Sequence, residues 1–465
     1  MKIALVNPKT DVFEMRMLYE RHENIALGSI ASNLESHGYS AEIFDLRVDD
    51  LSPCEIAKFI VTRNYQIVAF SINFATFPSA INICREIKFL NKDIVVIVGG
   101  EHVSYQDKKI LGFYGHYIDF VIRGESEDTF VDLLKYLDNN NSNGCSVHGI
   151  SYIDKRKNIF IRNDNRKPIE NLDALPFANR TISKKAIKKG KSIEIGILAQ
   201  RGCPFPCSFC NGNRFLSNEY PMIIRRRSPA NVVDEMELLH QIIYKNRSFL
   251  RFYDATFITR DSKNRQWIET FCGEIERRNL KIPFDVFIRA NSFNLNESND
   301  ISLISRLKSI GMISTYIGLE SGSDSTLEKY NKKVDVNESK TMFNFFKSIG
   351  INGSTNGCMT FQQESTIIDI IKTVEFLYEI RLCSFWNCLT RAETLPGIKL
   401  NIINRKRETP WDVYNYSFCD KHVDKLYSIL DQINKSFPSV RIEDRLIRLI
   451  SGRTKSHFFA AGRDI

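Results

Sequence analysis

Short apolar runs alternate with amphipathic stretches in two successive series along this 465-residue chain. In the first series the strand-like runs are residues 2–7, 40–45, 66–72, 94–98 and 118–122. The stretches near 26–37, 53–63, 77–90, 104–111 and 127–137 repeat apolar residues at three and four, the spacing of a helix face. Runs that are apolar at nearly every position suit strands covered on both sides, and parallel strands need helical crossovers between them. Residues 1–140 are therefore expected to form a Rossmann-like, doubly wound parallel sheet. Ligands of such sheets sit at the carboxyl ends of the strands. The candidate binding residues are Asn7, Ser71, Asn73, Gly99, Gly100, Glu101, His102, Gly124 and Glu125.

The run Asp138-Asn139-Asn140-Asn141-Ser142-Asn143-Gly144 cannot hold a core and marks a linker. Residues 141–190 are expected to be a connector with a small β-hairpin, its strands at 149–154 and 158–162 around Lys155-Arg156-Lys157. The second series starts at 193, with strand candidates at 193–199, 249–253, 284–288, 314–319, 353–360 and 384–389. Helical patterns near 229–244, 262–278, 300–310, 337–349 and 365–380 follow most of them. Six such units are too few for a closed eight-stranded barrel, so residues 191–400 predict an open, partial (β/α)6 barrel. Residues 401–465 carry Trp411, Tyr414, Tyr416 and Phe418, then two amphipathic helices, which predicts a small, mainly helical tail.

Charge narrows the partners. The 64 Lys and Arg exceed the 55 Asp and Glu by nine. Much of the excess lies in Lys184, Lys185, Lys188, Lys189 and Lys191, in Arg225, Arg226 and Arg227, and in Arg405, Lys406 and Arg407. These are either a solvated surface or a docking face for an acidic partner, and they do not argue for nucleic acid. No window nears the ~18 consecutive apolar residues of a membrane span. The first eight residues read as a strand and not as a secretory signal, which makes the cytoplasm the expected location and a monomer the expected state.

Without a signal peptide, eleven cysteines do not imply a disulfide framework. Cys54, Cys84, Cys145, Cys272, Cys358, Cys383, Cys388 and Cys419 are scattered and are expected to be small buried residues. Cys203, Cys207 and Cys210 instead crowd the loop after the first barrel strand, at C-x3-C-x2-C spacing. Three thiolates on one tight loop can each hold one iron of a [4Fe–4S] cube, leaving the fourth iron open to a chelator. Zinc normally needs a fourth Cys or His. The nearest histidine, His240, lies inside a predicted helix, so a zinc site or reduced thiols is the less economical reading.

With Phe209 just before the third cysteine, this loop resembles that of the radical S-adenosylmethionine (SAM) enzymes. The resemblance continues through Arg227-Ser228-Pro229-Ala230-Asn231, Phe252-Tyr253-Asp254-Ala255-Thr256-Phe257, Arg289-Ala290-Asn291, Gly318-Leu319-Glu320-Ser321-Gly322 and Leu395-Pro396-Gly397-Ile398. Tyr253 and Asn291 each stand where that family often has Asp. The resemblance implies a partial barrel in which the open iron chelates SAM and one electron yields a 5′-deoxyadenosyl radical. Phe209 falls in the cofactor-binding set. Asp254 is then expected at the SAM ammonium, Glu320 at the ribose hydroxyls and Arg289 at the SAM carboxylate. In the competing reading Asp254 caps the next helix, and Arg289 and Glu320 neutralise each other.

The first domain lacks Gly-x-Gly-x-x-Gly in its first turn, which argues against a dinucleotide. Its Ala26-Leu27-Gly28-Ser29-Ile30-Ala31, Gly38-Tyr39-Ser40-Ala41-Glu42, Gly99-Gly100-Glu101-His102 and Gly124-Glu125-Ser126-Glu127 resemble the cobalamin-binding domain preceding the barrel in one radical SAM subclass. None of the eight histidines sits in the Asp-x-His-x-x-Gly pattern that ligates cobalt in many cobalamin domains. The resemblance therefore implies base-off, His-off cobalamin, with His102 either a ligand or, more economically, a hydrogen-bonding or surface residue.

Together the two resemblances imply a cobalamin-dependent radical SAM methyltransferase acting on an unactivated carbon of a small molecule or peptide. A flavodoxin or ferredoxin would serve as electron donor. No catalytic residue is assigned. Three alternatives are a cobalamin-dependent cyclase or rearrangement enzyme, a methylthiotransferase with a second cluster on Cys54, Cys84 and Cys145, and a non-enzymatic cobalamin or redox sensor.

Overall fold

A computed structural model describes residues 1–10, 22–139, 144–212, 224–245, 248–354, 357–400, 412–414 and 416–436. The first sheet has seven strands: β1 (Ile3–Asn7), β2 (Ala41–Asp45), β3 (Ile67–Ser71), β4 (Val95–Gly99), β5 (Phe120–Ile122), β6 (Ile150–Asp154) and β7 (Ile159–Arg162). Their spatial order is β2-β1-β3-β4-β5-β6-β7. The first five pair in parallel, with Ile3 opposite both Ala41 and Ile67, and Ile97 opposite Phe120. The expected hairpin forms, but it belongs to this sheet: β6 pairs antiparallel with β5 and β7 with β6. Ile150 and Tyr152 are buried, so the hairpin covers what would otherwise be an open edge.

Successive residues of a strand point to opposite faces. Val6, Val68 and Val96 pack with Ile56, Ile60, Ile83 and Ile87 from the helices Pro53–Thr62 and Phe77–Leu90. Ile3, Leu5, Ile67 and Ile97 pack with Leu27, Leu34, Phe130 and Leu134 from the helices Ile25–Ser36 and Glu127–Asp138. Both faces are buried, which explains the unbroken apolar runs. Each such side chain contributes about 1.5–3 kcal/mol relative to an exposed one.

The second sheet contains β8 (Ile195–Ile197), β11 (Leu250–Phe252), β12 (Phe284–Arg289), β13 (Met312–Gly318) and β14 (Asn352–Ser354), all parallel, in the order β14-β13-β12-β11-β8. Between β8 and β11, the two-residue strands β9 (Gln200–Arg201) and β10 (Arg225–Arg226) form a small antiparallel ladder. The helices Pro229–Lys245, Ser262–Arg277, Ser298–Ser309, Val336–Ser348 and Ile367–Glu379 follow the strands. Their apolar faces cover one side of the sheet around Phe252, Phe271, Phe284 and Phe346. The architecture is the expected α/β one, an open barrel and not a closed one.

The sixth strand expected at 384–389 is instead the helix Phe385–Leu389. The Ser384 side chain accepts the Asn387 N–H and turns the chain into that helix. Nearby, Phe361 and Arg391 form an isolated parallel bridge. Of the tail, the helix Lys421–Ser436 packs through Val423 with Ile370, Tyr416 and Phe418. Trp411 and the second expected amphipathic helix lie outside the described residues. No described helix is long and apolar enough to cross a membrane.

Candidate functional site

The carboxyl ends of β1, β3, β4 and β5 open onto a cavity of about 470 Å³. Asn7, Ser71, Asn73, Gly99, Gly100, Glu101, Gly124 and Glu125 all line it, as the sheet topology predicts. The lining also includes β9 and the segments that follow β8 and β11: Leu198, Gln200, Arg201, Gly202, Tyr253 and Ala255. Asn7 is held by two amide contacts, donating to Asp45 at 2.8 Å and accepting from Asn24 at 3.0 Å. Gly100 has φ +114°, and a Cβ there would lie 2.5 Å from the Ile72 carbonyl oxygen. Only glycine lets β4 turn so close beside β3.

Three buried polar atoms on residues that line this cavity have no hydrogen-bond partner among the described residues: Glu101 Oε1, Arg180 Nε and the Tyr253 hydroxyl. Burial pushes the Glu101 carboxyl up to about 7. Such groups call for a ligand with donors and acceptors at its rim. A cavity edged by glycines and carrying orphaned polar groups fits a flat macrocycle edged with amides. His102 does not line the cavity. Its ring is buried, 6.4 Å from Phe74 and 6.1 Å from Phe77, so it is neither a surface residue nor aimed at this space. No histidine is among the lining residues.

Carboxylates from the first sheet clamp the chain leading into the cysteine loop. Arg201 reaches Glu127 at 2.6 Å and Glu125 at 3.1 Å, while Arg225 reaches Glu125 at 2.9 Å. Glu127 also accepts from Ser29 at 2.8 Å. Burial pushes Glu127 up, but the Arg201 charge and its hydrogen bond outweigh it and hold the carboxyl below its ordinary value. The Arg225–Arg227 cluster is thus largely internal, whereas the lysine cluster lies at the surface. Arg227 pairs with Glu235 at 2.5 Å, Arg226 donates to Gln200 at 3.0 Å, and Lys185 and Lys191 pair with Asp49 and Asp50. Of the first cluster, Lys184, Lys188 and Lys189 are exposed, and Arg405, Lys406 and Arg407 lie outside the described residues.

The cysteine loop is pinned from several sides. Ser208 N–H donates to the Tyr330 carbonyl at 2.9 Å, and Lys399 N–H donates to the Ser208 carbonyl at 2.8 Å. From the first domain, the Tyr105 hydroxyl donates to the Asn211 carbonyl at 3.2 Å. Phe209 stacks against Tyr330 with centroids 4.9 Å apart. Burial pushes the Cys210 thiol up to about 11, and Glu101, Cys207 and Cys203 add to the rise. The three sulfurs therefore feel one another, and a cationic centre among them offsets that cost. Among the described residues no three His, Cys, Asp or Glu side chains are drawn to single-ion spacing. The remaining cysteines form no second such set: Cys54 and Cys84 sit on separate helices, and Cys145 is buried apart from both. Cys54, Cys383 and Cys419 are exposed, contrary to the expectation that all the scattered thiols are buried.

The three acidic and basic strand-end residues are placed as follows. Asp254 does not cap a helix. It is buried and accepts the Ala199 and Gln200 N–H groups at 3.0 and 2.7 Å, fixing the strand that enters the cysteine loop. Burial pushes its carboxyl up to about 7. Arg289 and Glu320 do not pair with each other. Glu320, in a left-handed conformation at φ +66°, holds Lys332 at 2.6 Å, whereas Arg289 donates to Cys207 Sγ at 3.2 Å. Sequence reasoning missed Lys332, Tyr253 as a cavity wall and the Arg201 clamp. For Arg201 the signal was present, a cation directly preceding Gly202-Cys203.

Residues 15–134 match the B12 binding domain family, and residues 197–377 match the radical SAM superfamily. An uncharacterised methyltransferase of Pyrococcus horikoshii is 26% identical over 402 residues, covering 86% of this chain and 82% of that protein. The anaerobic magnesium-protoporphyrin IX monomethyl ester cyclase of Rubrivivax gelatinosus is 26% identical over 370 residues, covering 77% of this chain but 61% of that protein. The solved structure of the cobalamin-dependent S-adenosylmethionine radical enzyme OxsB with aqua-cobalamin bound superposes with a TM-score of 0.79. It covers all of this chain and 71% of that one, at 18% identity, a likeness of fold.

Proposed function

We infer the reaction for a chain that belongs to the cobalamin-dependent radical SAM enzymes: transfer of a methyl group to an unactivated carbon of a small molecule or peptide. The observation that carries this is the shared mouth, where the ends of the first sheet's strands, β9 and the strand ends of the partial barrel face one cavity. When bound, the [4Fe–4S] cluster with SAM supplies a radical that takes hydrogen from carbon, and cobalamin supplies the methyl group.

The chain's own residues supply position and exclusion. Cys203, Cys207 and Cys210 are assigned as the iron ligands. Asn7, Ser71, Asn73, Gly99, Gly100, Glu101, Gly124 and Glu125 are assigned to the corrinoid, with Tyr253 on the same lining. Asp254 holds the backbone of Ala199 and Gln200 and so fixes where the cysteine loop begins. Glu320 is assigned to the SAM ribose, with Lys332 holding its carboxylate. Phe209 walls the loop against Tyr330. Arg289 donates to Asn291, to Cys207 and to the Lys332 carbonyl, which engages three of its five N–H groups within the protein.

The test is turnover with SAM labelled at its methyl group, under reductant, with candidate substrates. Methyl transfer predicts labelled product and two SAM consumed per methyl, one giving S-adenosylhomocysteine and one giving 5′-deoxyadenosine with methionine. Unlabelled product with deoxyadenosine still formed would instead identify a cyclase or rearrangement enzyme, the activity named for the Rubrivivax relative. The electron donor is proposed to be a flavodoxin or ferredoxin. The basic residues left for such docking include exposed Lys184 and Lys188.

A further inference from the structure

Arg289 ends β12 with its side chain buried, and among the described residues no carboxylate oxygen lies within 4 Å of its guanidinium, though most other buried arginines have one. A buried cation without an anion is costly, several kcal/mol in real proteins. Its partners are otherwise neutral: Asn291 Oδ1 at 3.2 Å, the Lys332 carbonyl, and the Phe205 ring with its centroid 3.9 Å from the guanidinium carbon. The remaining contact is Cys207 Sγ, 3.2 Å from one terminal nitrogen. The nearby acids are already engaged, Glu320 with Lys332 and Asp285 with Arg251.

We propose that Arg289 is the counter-charge of the iron–sulfur cluster, donating an N–H···S bond to the Cys207 thiolate and thereby making the cluster easier to reduce. The charge arithmetic supports it. A [4Fe–4S] cube with three thiolates is anionic, and reduction adds another negative charge. A fixed cation and a hydrogen bond on sulfur stabilise the reduced form more than the oxidised one. Phe205 holds the guanidinium plane from one face, and the Asn291 and Lys332 contacts fix its fork, so the donor aimed at sulfur is preorganised. This is a positioning and electrostatic role, distinct from the carboxylate recognition that the sequence suggested for this residue. It rests on the cluster assignment made above.

The test uses reconstituted full-length protein, with SAM absent from the spectroscopic and redox measurements and added only to measure its affinity. In wild type labelled with 15N-arginine, electron–nuclear double resonance of the reduced cluster should show a weak 15N coupling. Its absence would overturn the contact without any variant. Redox titration followed by electron paramagnetic resonance should then give a more negative midpoint for Arg289→Gln than for wild type, with Arg289→Lys between them. An unchanged midpoint at full iron content, accompanied by a weaker SAM affinity, would overturn the proposal and restore the SAM carboxylate as the partner. Wild-type protein that takes up no four-iron cluster would instead sink the cluster assignment, which separates the two failures.

Discussion

The Arg201 guanidinium meets the Glu127 carboxylate at 2.6 Å across the boundary between the two domains, two residues before Cys203. Glu127 opens the helix after β5, and Arg201 ends β9, so a single ion pair ties the cavity wall of the first domain to the entry of the cysteine loop. Glu125 extends it by taking both Arg201 and Arg225.

Breaking this clamp from one side should be costly. Removing one member of a buried pair leaves an uncompensated charge, worth about 3–5 kcal/mol. Arg201→Ala is therefore expected to lower the melting temperature and to weaken corrinoid uptake, measured by absorbance titration with hydroxocobalamin. Glu127→Gln, which keeps the Ser29 contact, should show a smaller loss. Wild-type corrinoid affinity in Arg201→Ala would show that the clamp does not shape the cavity.

Much of this arrangement is legible in the sequence, and what is not has a physical reason. Four of the five parallel strands of the first sheet, β1, β3, β4 and β5, are apolar at nearly every position because both faces are buried, whereas the edge strand β2 carries Glu42 and Asp45. Eight of the nine strand-end candidates line the cavity, since topology alone fixes which end of a parallel sheet binds. His102 fails because burial between two phenylalanines is a tertiary fact that no spacing announces. The 384–389 segment is apolar enough for a strand, but Ser384 caps it into a helix, a local hydrogen bond that outweighs propensity. The Glu320–Lys332 pair joins residues twelve apart across the short helix Asp324–Lys329, and the sequence offered Arg289 as an equally plausible partner.

The cysteines separate cleanly into two sets. Cys203→Ala, Cys207→Ala or Cys210→Ala should each abolish the broad charge-transfer absorbance of the cluster and reductive SAM cleavage, because each removes the sole protein thiolate from one iron. Cys272→Ala, inside a helix core, and Cys419→Ala, on the surface, should leave both signals intact. A member of the trio whose alanine variant cleaves SAM at the wild-type rate would contradict the assignment.

Asp254 predicts a pH dependence of stability. Burial raises its folded carboxyl from 3.8 to about 7, so between those values the folded state keeps a proton that the unfolded chain releases. The stability associated with that proton is complete below about pH 4 and is lost as pH rises toward 7. Wild-type melting temperature should therefore fall relative to Asp254→Asn as pH is raised from 5 to 8. Burial raises Glu101 in the same sense, which is why the comparison is a difference between variants at each pH. A gap between the two proteins that stays constant across that range would refute the assignment of this dependence to Asp254.

The cavity also predicts the state of the cobalt. A protein imidazole on the metal requires a histidine on the cavity wall, and among the described residues that line it there is none. His102, the candidate by position, is turned between Phe74 and Phe77. The electron paramagnetic resonance spectrum of the cob(II)alamin form should therefore lack superhyperfine splitting from an axial nitrogen. His102→Phe keeps an aromatic ring of similar shape between its two neighbours and should give the same spectrum. A triplet splitting in the wild type that disappears in His102→Phe would place this imidazole on cobalt and require the β4 end to rearrange when the corrinoid enters. Without such splitting, the lower face of the cobalt carries no protein nitrogen, and Gly99, Gly100 and Glu101 meet the corrinoid through shape and hydrogen bonding alone.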